Sequence, residues 1–165
     1  MLNSAVNLLN FAVGYNRRIS VRQLTLLALV AVTPLPAFAK DAALVVAKNS
    51  KVTAVQSAAF IKAFTSAPAR LADGQEIVLV VKPLNTPETQ AVASKLLAQT
   101  PEGLNRMVAK RTIIVVNSDA EVIRLVSSTP NAVGVVDTYS ITSEIAVLKV
   151  DGKLPLEPGY LLHYH

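Results

Sequence analysis

Residues 112–137, TIIVVNSDAEVIRLVSSTPNAVGVVD, narrow the choice of fold more than any other stretch of this chain. Residues 112–116 form a nearly continuous apolar run rich in β-branched side chains, the pattern of a strand buried on both faces. Ser118 is placed to accept from an amide in the first turn of a helix, and Glu121, three residues on, can reach back to the cap. Val122, Ile123, Leu125 and Val126 then make an apolar stripe at helical spacing, with Glu121 and Arg124 directed outward. Pro130 and Asn131 stop that helix, and residues 132–136 (AVGVV) read as a second buried strand with Asp137 at its carboxyl end. Two strands joined by one helix run parallel through a right-handed crossover, so the expected class is α/β.

The rest of the chain can be laid around that unit. Residues 42–47 (AALVVA) are a first buried strand, followed by a polar turn, KNSK. Residues 52–66 read as helix because Val55, Ala59, Phe60 and Phe64 share one face. A loop with an Asp73-Gly74 turn leads to residues 76–82 (EIVLVVK), whose unbroken apolar character marks a central strand. Thr86 then stands at the cap of a helix with Pro87 at its first position, running to about residue 99. Thr100-Pro101-Glu102 repeats the formula for a shorter helix that turns Leu104, Met107 and Val108 inward. Residues 145–150 (IAVLKV) read as a last strand, turned by Asp151-Gly152. The tail, LPLEPGYLLHYH, is too apolar to stay solvated and is expected to lie across the domain or against a partner. The sum is a mostly parallel sheet of about five strands flanked by helices, with the 165 residues sufficient for one domain.

Residues 1–39 carry the marks of a secretory signal peptide. Arg17, Arg18 and Arg22 form a basic region, residues 24–32 an apolar run, and residues 34–39 (PLPAFA) end in the small-x-small triplet Ala37-Phe38-Ala39. The apolar run is shorter than the roughly 20 residues a bilayer span needs. Cleavage near Ala39 would leave residues 40–165 as a periplasmic domain. Arg17-Arg18 is followed by Ser20 where a twin-arginine signal carries a large apolar residue, so the general and twin-arginine routes both stay open. From Lys40 onward the chain has 13 basic and 11 acidic residues, a formal +2, and no basic stripe interleaved with aromatics, so a nucleic-acid partner is not expected. Cysteine is absent, which removes disulfides and thiol chemistry.

Chemistry in an open α/β sheet collects where strand ends meet helix amino ends, because free amides there favour anions. The candidate ligand-binding residues are therefore Asn49, Ser50, Asn85, Thr86, Thr89 and Ser118, with Asp137 the lone carboxylate at a strand end. Each hydroxyl also has a reading as a helix cap. The two histidines, His163 and His165, lie at the carboxyl end, where they reach a catalytic partner only if the tail folds back. There is no glycine-rich phosphate loop. No cofactor, metal or catalytic residue is expected, and the chain reads as a non-enzyme.

The order of these pieces resembles the phosphate ABC-transporter substrate-binding proteins. It runs from a buried strand and a helix ending in Phe64, through an Asp-Gly loop and a strand leading to a Thr-bearing helix start, to SDAEVIRLVSSTPNAVGVVD. Residues 130–136 (PNAVGVV) are similar to the family's PGAIGYV block. The resemblance implies a single lobe of the type 2 periplasmic-binding-protein fold. In the family the strand matching residues 76–82 leads to an arginine and then a Ser-Gly-Thr helix start that holds phosphate. Here Pro83 stands at the arginine position, and Pro87, Glu88 and Thr89 stand at Ser-Gly-Thr. Lys82, one residue away, is expected to point to the opposite side of a regular strand. What the resemblance implies is an exported solute-binding-like domain holding phosphate or another small anion weakly. The alternative is an envelope interaction module that has lost the anion site and meets an envelope protein or a second copy through its tail.

Overall fold

The computed structural model describes residues 40–65, 68–70 and 74–164. The leader read from residues 1–39, and His165, lie outside the described residues. In chain order the elements are β1 (Lys40–Ala47), β2 (Ala54–Val55), α1 (Ser57–Ala63), β3 (Val78–Val81), α2 (Pro87–Lys95), α3 (Pro101–Ala109), β4 (Ile113–Val115), α4 (Asp119–Ser128), β5 (Ala132–Asp137), β6 (Ile145–Val147), β7 (Lys149–Val150) and β8 (His163–Tyr164). A 3-10 turn, Thr138–Ser140, follows β5.

The α/β class is as the sequence predicts. The central sheet has the order β4-β3-β5-β1-β6, with β8 also paired to β1. Strands β4 and β5 both pair parallel to β3, which lies between them, so the strand–helix–strand unit spans three positions of the sheet. Strand β1 makes the sheet mixed, because it runs antiparallel to β5, to β6 and to β8. One edge of β1 is shared end to end: β6 covers Val45 to Ala47 and β8 covers Lys40 and Asp41.

Alternation along β1 explains the two layers. Ala42, Leu44 and Val46 enter one core with Phe60, Phe64, Leu96, Leu97, Leu104 and Met107 from α1 to α3. Ala43 and Val45 enter the other with Val122, Ile123 and Val126 of α4. Gly134 of β5 is where α4 comes closest. A methyl built there would sit 2.6 Å from a Val122 methyl and 2.7 Å from one of Val126, so only a residue without Cβ lets helix and sheet meet. The tail lies on the domain, with Tyr160 and Leu162 buried in the first core and the Tyr160 hydroxyl donating to the Ala42 carbonyl at 2.9 Å.

Two expected elements are divided. The helix expected over residues 52–66 is preceded by β2 and begins only at Ser57, whose amide donates to Asp151 Oδ1 at 2.8 Å. Residues 145–150 are two strands: β6 pairs with β1, whereas β7 pairs with β2 in a separate two-stranded sheet. Both departures have one cause, a long-range pairing of residues 54–55 with 149–150 that no local pattern carries.

Candidate functional site

Because β1 is antiparallel to β5, its amino end lies beside the carboxyl ends of the parallel strands: Ala42 pairs with Asp137. The rim at this edge is built from the start of β1, the starts of α2 and α4, the turn after β5, and β8. Lys82, in the bend after β3, is at its centre. Its ammonium lies 2.8 Å from Glu88 Oε1 in the first turn of α2 and 3.0 Å from Asp119 Oδ1 at the first position of α4. Asp119 in turn accepts from the Ser140 hydroxyl at 2.6 Å. Tyr164 joins the cluster from β8, donating to Asp137 Oδ2 at 2.8 Å with Glu88 Oε1 3.4 Å away. Asp137 also accepts from the Tyr139 amide at 2.9 Å and has Lys40 at 4.0 Å.

The electrostatics follow from this geometry. Burial alone would push the Lys82 ammonium down, but hydrogen bonds to Glu88 and Asp119 outweigh it and hold the lysine above its usual range. Burial likewise opposes ionisation of Glu88, and the Lys82 ammonium together with the residue's own backbone amide keeps it below the ordinary carboxylate range. Asp137 is lowered in the same sense: desolvation opposes, while the Tyr139 amide, the Tyr164 hydroxyl and Lys40 prevail. The Tyr164 phenol is driven up by burial and by the Asp137 carboxylate it bonds, so it stays a donor. Both helix amino ends thus face a carboxylate of this chain, held by one shared lysine.

Of the residues picked from the sequence, Asn85, Thr86, Thr89 and Ser118 lie on this rim. Asn85 is exposed on the turn before α2. Thr86 takes the cap position, but its hydroxyl does not cap the helix. It donates to the Thr89 hydroxyl at 3.0 Å, and Thr89 donates to the Lys82 carbonyl at 3.2 Å. Ser118 accepts from the Glu121 amide at 3.3 Å, and Glu121 reaches back to the Asn117 amide at 2.7 Å, so this hydroxyl serves its helix. Asn49 and Ser50 are not on this rim. They follow the carboxyl end of β1, which the antiparallel pairing sends to the opposite edge, beside the start of β5. There they line a cleft of about 870 Å³ with Lys51, Gln75, Ser127 and Asn131.

Lys82 is the residue the strand pattern misplaced. Strand β3 ends at Val81, so alternation no longer governs the next side chain, and the bend before Pro83 turns Lys82 onto the rim. The signal available was the Lys-Pro pair closing an apolar run, since a residue before proline marks the end of regular structure. Folding back of the tail brings His163 against the nearly buried Asp41, Nδ1 to Oδ1, while the Lys95 ammonium donates to the His163 carbonyl at 2.6 Å. Among the described residues no hydroxyl hydrogen-bonds to this imidazole, so the pair is not joined by a nucleophile. Among the same residues no group of His, Asp and Glu has the arrangement of a metal site.

No protein-family model and no curated protein sequence matches this chain. Solved structures do. A phosphate ABC transporter substrate-binding protein from Clostridium perfringens, solved with bound phosphate, superposes with a TM-score of 0.63 at 17% identity, over 76% of this chain and 53% of that one. An ABC-type phosphate transport receptor from Vibrio cholerae gives 0.61 at 17% identity, over 76% and 54%. PstS from Borrelia burgdorferi gives 0.56 at 17% identity, over 77% and 55%. The domain therefore has the PstS-like fold, and the chain spans about half the length of the structures it matches.

Proposed function

We propose that this chain is an exported, non-catalytic domain of solute-binding-protein type whose anion site is filled by its own carboxylates, and that it works by engaging a protein partner rather than by capturing phosphate. The observation that carries this reading is the placement of Lys82 between Glu88 and Asp119 at the amino ends of α2 and α4. An oxyanion entering there would have to displace Glu88 from the ammonium. It would also meet Asp119 and Asp137 at close range, and like charges that cannot separate cost several kcal/mol in a partly dry site. The hydroxyls of Thr86 and Thr89, which a phosphate would need, are used within the chain. Export is supported by the leader read from residues 1–39.

Calorimetric titration of the purified protein with phosphate and with sulfate tests the reading. No saturable heat is expected up to about 10 mM anion, a Kd above which binding is worth less than roughly 3 kcal/mol. Saturable micromolar binding of phosphate would refute it.

A further inference from the structure

We infer that the rim outside the Lys82 cluster is a docking surface for a basic partner segment with an apolar anchor, an inference that rests on the reading above and gives the partner its chemistry. Tyr139 and Leu156 are the two most exposed large hydrophobic residues among those described, at 81% and 66%. They stand 17 positions apart in the chain, and both are fastened around the distant Asp41. The Leu156 amide donates to Asp41 Oδ2 at 2.5 Å, and Thr138, next to Tyr139, donates through its hydroxyl to the Asp41 carbonyl at 2.7 Å. The backbone at Tyr139 is further fixed by its N–H, which donates to Asp137 Oδ1.

Leu156 also sits at φ +71°, a backbone region that side chains with a Cβ adopt only under strain. An exposed leucine gives no burial in return. The strain is held by the Asp41 carboxylate and by Glu157, whose Oε2 accepts from the Leu154 amide at 2.9 Å. A presented leucine and a presented tyrosine beside a polar rim are the kind of anchors that dominate interface energetics.

Charge decides what covers them. At the rim, Asp41, Glu88, Asp119, Glu121 and Asp137 stand against Lys40, Lys82 and Lys95, which leaves it formally two negative with the imidazole of His163, paired with Asp41, counted neutral, and beside Leu156 the charges of Glu157 and Lys153 cancel. The chain from Lys40 onward is +2, so the rest of the domain carries the opposite sign. A second copy laid rim to rim would set like charges together, whereas lysine or arginine flanking an apolar residue complements the patch.

The test uses a fluorescein-labelled nonapeptide alternating Lys with Leu and Phe, and its counterpart with Glu in place of Lys, in anisotropy titrations of the purified protein. The basic peptide is expected to bind and the acidic one not, with weaker binding as salt rises from roughly 50 to 500 mM. Leu156→Gly and Tyr139→Ala are each expected to weaken it about tenfold. Leu156→Gly separates docking from folding, because glycine relieves the positive φ and should leave the melting temperature unchanged or higher while binding falls. Equal binding of both peptides, no binding of the basic one, or affinities unmoved by both substitutions would overturn the inference. So would a dimer in sedimentation that Leu156→Gly dissolves. Phosphate heat in the same preparation, with peptide binding intact, would refute the closed anion site and leave the docking surface standing.

Discussion

Lys82 has only a small exposed fraction and is shared by two carboxylates, so removing it leaves Glu88 and Asp119 facing helix amino ends without a cation. Lys82→Ala is expected to cost about 2–4 kcal/mol in urea unfolding, since stranding a partly buried charge costs far more than an exposed pair is worth. Glu88→Gln has the opposite interest. It removes the negative charge nearest the ammonium, and weak sulfate or phosphate binding, with Kd of about a millimolar, should appear where the parent shows none. If that variant stays inert in chemical-shift titration, Glu88 is not what excludes the anion. Acid tests the same cluster. Glu88 and Asp137 ionise more readily folded than unfolded, so their contribution is present in full above the ordinary carboxylate range. It is lost as pH falls below about 4. Unfolding free energy should therefore drop between pH 6 and pH 3, and Glu88→Gln should flatten part of the drop. At this scale the sequence was legible for groups whose partners are near in the chain. Ser118 and Glu121 are an example. It was not legible for Lys82, whose three-way pairing depends on where β3 stops and on α4 arriving from 37 positions later.

Among the elements, the contact of α4 with β5 tolerates least. Gly134→Ala forces a methyl into Val122 and Val126, and a loss of about 1–3 kcal/mol is expected in denaturant melts. A variant as stable as the parent would mean that α4 shifts freely on the sheet. The strand–helix–strand unit was readable because each of its signals is local: the apolar runs, the Ser118 cap and the stop at Pro130. The divided strand at residues 145–150 was not, because a one-residue change of sheet leaves the apolar pattern intact. Strand β8 was foreseen only as a tail that lies down. Its place follows from Tyr160 and Leu162 filling the first core, after which His163 and Tyr164 meet the free edge of β1.

For the molecule as a whole, the direction of β1 decides which loops share a rim. A parallel first strand would have put Asn49 and Ser50 beside Thr86 and Thr89. The antiparallel one replaces them with Lys40, Asp41 and, through β8, His163 and Tyr164. This is why the α/β class could be read from residues 112–137, while the edge on which Asn49 and Ser50 lie could not: pairing direction between strands 85 or more positions apart has no local marker.

The cross-strand pairing of Lys40 with Tyr164 has one more consequence. The first and last described residues of the fold are cross-strand neighbours at one corner, as the two arms of a hairpin are, so a loop of a few glycines would join them without crossing the surface. A circular permutant closed there and reopened at the exposed Asp151-Gly152 turn should keep its sheet and melt within a few degrees of the parent.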